Sequence, residues 1–214
     1  MIQIKRFTCN MLAENCYVVS DDTKECVIID CGAFYEEEST AITNYIKSAG
    51  LKPHHLLCTH GHFDHCIGNI FIYKEFGLKP EVHHEDEFLI TKMQDQARDI
   101  LGINIPMEVP PVGKYLSNID VITFGNHIFT ILHTPGHTPG SVVFFCEQEH
   151  IAFSGDTLFR MSIGRTDFER GSFKEMISSL HNVLAKLPTD TKVYSGHGPA
   201  TTIADEVMYN PYFR

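Results

Sequence analysis

Short runs rich in β-branched residues alternate with stretches of helical period along the chain. Residues 2–8, 15–20 and 25–30 (E-C-V-I-I-D) read as strands, and 37–49 as a helix ended by Gly50 and Pro53. H-H-L-L-C at 54–58 reads as a buried strand that runs into a cluster of histidines. The segment 67–77, closed by Gly77, and residues 85–100 read as helices, and the prolines and Gly113 within 105–114 predict a loop. Strands begin again at 119–124, 127–132, 141–146 and 150–154, followed by a helix at 173–187 and a last strand at 192–195. Ser172, with Glu175 three residues on, gives that helix a capping-box start. Each half is thus a strand meander followed by helical structure, about 1–115 and 116–214. With no low-complexity linker between the halves, the pattern predicts one domain over residues 1–214.

Composition narrows the function classes. A hydrophobic fraction of 43% suits a globular core, and a net charge of −10 disfavours nucleic acid as a partner. No segment approaches the roughly 18 consecutive apolar residues of a membrane span, and the first residues contain no apolar run of signal-peptide length. Seven cysteines without paired spacing suit reduced thiols, and so a cytoplasmic location, better than a disulfide framework.

The chemistry is concentrated at C-T-H-G-H-F-D-H-C, residues 58–66. In an extended chain, residues two apart point the same way, so His60 and His62 can grip one metal ion from the same side. Asp64 and His65 sit where a helix begins and aim elsewhere, which hints at a second ion. Further ligand types follow at strand ends in glycine-containing turns: His137 in H-T-P-G-H-T-P-G, Asp156 in S-G-D-T and His197 in S-G-H-G-P. Imidazole and carboxylate suit zinc, iron or manganese.

These motifs carry a resemblance. T-H-G-H-F-D-H is similar to the T-H-x-H-x-D-H signature of the metallo-β-lactamase superfamily, and L-H-T-P-G-H-T-P-G-S, F-S-G-D-T-L-F and Y-S-G-H-G resemble its later ligand motifs in order. Within the superfamily, L-H-T-P-G-H-T and G-D-T-L-F resemble the glyoxalase II branch, the hydroxyacylglutathione hydrolases. I-G-R-T-D and the final Y-N-P-Y-F resemble its short, single-domain bacterial members. The resemblance implies an α/β fold, a four-layer αββα sandwich, with a dinuclear site at one edge of two packed sheets. It implies that His60, His62 and His137 bind one ion, that Asp64, His65 and His197 bind the other, and that Asp156 bridges them. Asp64 and Asp156 then carry the catalytic roles. The cofactors expected are two divalent ions, zinc first, with iron or manganese as alternatives.

Two ions about 3.5 Å apart can hold a bridging hydroxide at neutral pH that attacks a carbonyl carbon. A thiolate leaves with little acid assistance, since a free thiol has a pKa of about 8.5. The expected partner is therefore a small acyl thioester, with no nucleic acid and no membrane. The alternative on the same fold is a persulfide dioxygenase with one iron held by residues matching His60, His137 and Asp156. A β-lactamase is disfavoured because the main class has a cysteine where Asp156 stands and no histidine at the place of His65. Full-length glyoxalase II enzymes carry a helical C-terminal domain, whereas only 17 residues follow His197 here, so no separate glutathione-binding domain is expected.

Outside the motifs, the pairs His54–His55 and His83–His84 read as ordinary strand residues, Cys58 and Cys66 as core, and Glu36–Glu38 as a solvated helix start. Arg165 and Asp167 read as a buried ion pair fixing the loop after Asp156, with a substrate carboxylate facing Arg165 as the other reading. His133 is either an orienting partner of a ligand or a packed loop residue. The region 85–118 either overhangs the site or packs against the core.

Overall fold

The structure is a computed structural model that describes residues 1–102 and 107–214. Part of the loop expected over 105–114 therefore lies outside the described residues. Six strands form the first sheet in chain order: β1 (Gln3–Cys9), β2 (Glu14–Ser20), β3 (Glu25–Ile29), β4 (Lys52–Leu57), β5 (Pro80–His83) and β6 (Lys114–Leu116). The first three are antiparallel, and β3 to β6 run parallel. Parallel neighbours need crossovers, supplied between β3 and β4 by α1 (Glu36–Ser48) and between β4 and β5 by α2 (Phe63–Cys66) and α3 (Asn69–Phe76). After β5 come α4 (Glu87–Thr91) and α5 (Met93–Leu101).

The second sheet contains β7 (Val121–Phe124), β8 (His127–His133), β9 (Val142–Cys146) and β10 (Ile151–Gly155). A small ribbon of β11 (Leu158–Phe159) and β12 (Ser162–Ile163) follows, then α6 (Phe173–Asn182). The chain returns to the sheet as β13 (Lys192–Ser195), parallel to β10, and β14 (Thr201–Thr202), and α7 (Ile203–Tyr209) comes next.

Strand alternation builds the layers. Along β2, Tyr17 and Val19 face the other sheet, where they join Phe129, Phe144 and Phe153, while Cys16 and Val18 face Ile42, Ile46 and Ile72 of the helices. On the far side Val143, Phe145 and Val193 pack against Leu180 and Ile203. The order is helices, sheet, sheet, helices, an α/β sandwich. The two sheets are also tied at one end: Asn15 N–H donates to Gly196 O (2.7 Å), the Asn15 amide to Ser195 O (3.0 Å) and the Tyr17 hydroxyl to Ser195 O (2.7 Å).

Several elements differ from expectation for local reasons. The helix expected at 67–77 is α3, which starts only at Asn69, and α2 is a separate turn before it. At Gly68 the backbone turns to donate to Cys31 O (2.8 Å), and a Cβ there would lie 2.7 Å from Ala33 N and Cys31 O. Residues 85–100 divide into a 3₁₀ turn at His84–Asp86, α4 and α5, and α6 stops at Asn182. Ser172 does cap α6, accepting from Glu175 N–H (3.2 Å). Glu38 is not merely solvated: its carboxylate accepts from the N–H groups of Asn10 and Phe34, each at 2.8 Å. All seven cysteines are free and buried. Among the described residues no helix is long and apolar enough to cross a membrane.

Candidate metal centre

All seven residues singled out from the motifs lie where strands end on one edge of the sandwich. His60 and His62 follow β4, Asp64 and His65 lie on α2, His137 follows β8, Asp156 follows β10 and His197 follows β13. Ligand atoms of His60, His62 and His137 meet within 4.8 Å of one another, and so do those of Asp64, His65 and His197. Asp156 stands between these groups: Oδ1 is 3.3 Å from His65 Nε2, and Oδ2 is 3.6 Å from His137 Nε2 and 3.7 Å from His197 Nε2.

The imidazoles are aimed by bonds from behind. His137 Nδ1 donates to Arg165 O (2.7 Å) and His197 Nδ1 to Leu12 O (3.1 Å), so both turn Nε2 towards the carboxylates. His65 Nδ1 bonds Asp30 Oδ2 (3.0 Å), and His60 Nδ1 lies 3.1 Å from the Thr59 hydroxyl. His62 is turned the other way, with Nδ1 2.8 Å from His137 Nε2. Fixing one ring nitrogen on a carbonyl or carboxylate sets tautomer and direction, the usual arrangement behind a metal-binding histidine.

The electrostatics separate the two groups. Burial, then the neighbouring His65 and His137, holds His60 well below the ordinary histidine value, and burial with His137 pushes His62 down to about 3. Both are held neutral, the form in which an imidazole can bind a cation. Burial also opposes charge on His65, but Asp156 and Asp64 outweigh it and raise its pKa well above normal. Burial likewise resists ionisation of Asp156, yet His65, His137 and His197 hold it strongly below the carboxylate range. Protons on His65 thus balance two buried carboxylates, a balance that divalent cations would supply more strongly as those protons leave. His60 Nε2, His65 Nε2 and Asp156 Oδ1 are buried without a hydrogen-bond partner, although the last two approach to 3.3 Å. Buried polar atoms need partners. Three orphaned buried polar atoms fit cations, with His65 giving up its Nε2 proton on binding.

Three acidic residues absent from the motif reading complete the centre. Asp30, at φ +50 just past β3, accepts from Thr59 N–H (2.7 Å), the Thr59 hydroxyl (2.7 Å) and His65. Glu14 is buried with Oε1 4.0 Å from His65 Nδ1, and burial raises its pKa well above normal. Asp86 clamps the two histidine loops, accepting from Gly61 N–H (2.8 Å), the Thr138 hydroxyl (2.7 Å) and Gly140 N–H (2.7 Å). Its element therefore buttresses the site, as does Gln96, which bonds Phe63 N–H (3.1 Å) and Gly61 O (3.2 Å).

Arg165 and Asp167 do pair, through two bonds of 2.9 Å, but both side chains are more than two-thirds exposed, so the pair is not buried. The Arg165 guanidinium lies over Phe168 (4.6 Å), whose ring in turn meets the rings of His62 (4.8 Å) and His137 (5.5 Å). His133 bonds Pro139 O (2.8 Å) and stacks on His83.

Comparison with known proteins places this geometry. Residues 10–197 match the Metallo-beta-lactamase superfamily. The hydroxyacylglutathione hydrolase GloC of Haemophilus influenzae is 36% identical over 200 residues, which cover 93% of this chain and 92% of that one. The crystal structure of BLEG-1 B3 metallo-beta-lactamase superposes with a TM-score of 0.90 at 34% identity, covering 99% of each chain. That of TTHA1623 in a di-iron-bound form gives 0.85 at 35% identity, covering 97% of this chain and 99% of that one.

Proposed function

This chain belongs to the metallo-β-lactamase superfamily, a divalent-metal-binding hydrolase family, and from that premise we propose that it hydrolyses acyl thioesters at a two-ion centre. His60, His62 and His137 would hold the first ion, Asp64, His65 and His197 the second, with Asp156 shared. The observation that carries this reading is the pair of complete ligand groups on either side of one carboxylate. Similarity to the GloC hydrolase supports the thioester as substrate class. Zinc is the first ion to test and iron the second, since TTHA1623 holds two irons.

Cations bound there would activate water at neutral pH and stabilise negative charge on a carbonyl oxygen. The protein's own part is orientation and exclusion. Backbone carbonyls of Arg165 and Leu12 fix His137 and His197, and Phe168 packs in T-shaped contact with the rings of His62 and His137. Asp156 and Asp64 would supply the negative charge that retains the ions. A thiolate needs little protonation to leave, so no strong acid is demanded of the site.

β-Lactam hydrolysis is the second reading, favoured by the 34% identity to BLEG-1. Its leaving group is an amide nitrogen, which needs a proton. The test is metal analysis together with initial rates on S-lactoylglutathione, a smaller acyl thioester and a chromogenic cephalosporin. The expected result is two ions per chain and thioester turnover far above lactam turnover. Lactam turnover alone would transfer the assignment to the second reading. A single ion under metal excess, with oxygen uptake on glutathione persulfide, would replace both by a mononuclear iron dioxygenase.

Asp30→Asn probes the support behind His65. Asparagine tolerates the positive φ, so the backbone should hold while the charge behind the imidazole is lost. Metal affinity is expected to fall about 10–100-fold, as for other partners behind metal-binding histidines, read by competition with a chromophoric chelator. Unchanged affinity would remove Asp30 from that role.

A further inference from the structure

Outside the centre, a second set of metal-binding side chains converges at the junction of the sheets. His83 is the last residue of β5 in the first sheet, and His133 the last of β8 in the second. Glu85 lies in the 3₁₀ turn that follows β5. One ligand atom from each of the three lies within 4.8 Å of the others. We propose that His83, Glu85 and His133 form an auxiliary divalent-cation site that staples the two sheets together.

The two imidazoles stack at 4.4 Å with planes 17° apart, and Glu85 Oε2 lies 3.6 Å from His133 Nε2. Two stacked rings cannot both carry protons without repulsion, yet the carboxylate supplies negative charge. The set asks for one cation. The donors are two imidazoles and one carboxylate, a set typical of zinc and acceptable to cobalt or nickel. His133 Nε2 faces both Pro139 O (2.8 Å) and Glu85 Oε2 (3.6 Å), so the ring has a defined orientation, and a cation bound at Nε2 would displace the proton it shares with Pro139 O. His83 Nδ1 is 3.4 Å from Glu85 N–H, a contact too long to lock its tautomer. Burial, with His133 and His84 nearby, pushes His83 down to about 4, so it is unprotonated at neutral pH. The positive charge of Arg170 is directed to the Glu85 carbonyl (3.4 Å) and the Phe88 ring (4.8 Å), not to the carboxylate.

The site would also bear on the catalytic centre. Glu85 precedes Asp86, the clamp of both histidine loops, and His133 begins the loop that carries His137. A cation here would stiffen that clamp without touching any of the seven central residues. A ligand that binds only the folded state raises its stability.

The proposal does not rest on which reaction the centre performs. Protein already loaded at its centre is equilibrated with Zn²⁺ by dialysis, and bound metal is counted for wild type, Glu85→Gln and His133→Gln, with thermal melts in parallel. The expected result is one more zinc ion per chain in wild type than in either variant, and a Tm that rises on adding zinc only in wild type. Equal zinc counts in wild type and variants would overturn the site and leave the cluster holding a proton. Glu85 is partly exposed and glutamine is isosteric, so that variant separates lost binding from lost folding even if His133→Gln fails to fold.

Discussion

Asp156→Asn is expected to lower kcat/KM by at least about a hundredfold, roughly 2.7 kcal/mol of transition-state stabilisation, and by clearly more than Asp64→Asn does. Asp156 approaches His65, His137 and His197 at 3.3, 3.6 and 3.7 Å, so it faces both groups, whereas Asp64 approaches His65 at 3.6 Å and His197 at 3.2 Å, both in the second. An amide keeps the shape but removes the charge that would balance the two proposed cations, and its NH₂ would point a donor where a ligand must accept. Bound metal should fall in the same variant, which separates loss of ions from loss of chemistry on retained ions. Equal, mild effects at both positions would remove Asp156 from its shared role.

Gly196→Ala should be comparably damaging although it adds a single methyl group. A Cβ at this position would lie 2.4 Å from Asp156 Oδ1 and 2.6 Å from His65 Cε1. Neither neighbour can retreat freely. His65 is held by Asp30 (3.0 Å), and Gly196 is itself held to Gly155 O (2.8 Å). Displacing reacting groups by about 1 Å costs on the order of 100-fold in rate, and a loss of that size in kcat/KM is expected, together with reduced metal content. Gly50→Ala is the control. Gly50 has φ +65 with nothing within 4 Å of its absent Cβ, so it should lower Tm and leave turnover alone. Wild-type turnover in Gly196→Ala would show that the site relaxes around the methyl group.

The motif residues were legible because they are local. Each sits at the end of a well-patterned strand, and the T-H-G-H-F-D-H run places four of them within six positions. The supporting residues were not, because Glu14, Asp30 and Asp86 are single acidic residues whose partners lie far along the chain. Only Asp30, ending E-C-V-I-I-D just before C-G, carried a faint signal of a strand terminus. The fold class was legible from strand and helix pattern together with the resemblance. β6 was missed because it spans only three residues, too short for a period to emerge, and β5, four residues beginning with proline, was legible only as the short strand holding His83. The break at Gly68 is set by backbone contact with Cys31 and Ala33, which no helical period reveals. The pair Arg165–Asp167 was foreseen as a contact but placed inside, because charge pairing is visible in sequence and exposure is not.

The bonds from Asn15 and Tyr17 to Ser195 and Gly196 also bear on how the protein is made. They join positions 180 and 178 residues apart across the Ser195 carbonyl, and His197 follows directly. Closing so long a loop costs entropy before any contact rewards it, and topologies rich in such contacts fold slowly. During synthesis the chain emerges N-terminus first. The segments of the first sheet, with His60, His62, Asp64 and His65, are therefore made while the last histidine is still unmade. On the proposed ligand set, the second group is incomplete until β13 docks beside β10 and its end meets β2, so tight metal capture would be a late event in the life of the new chain.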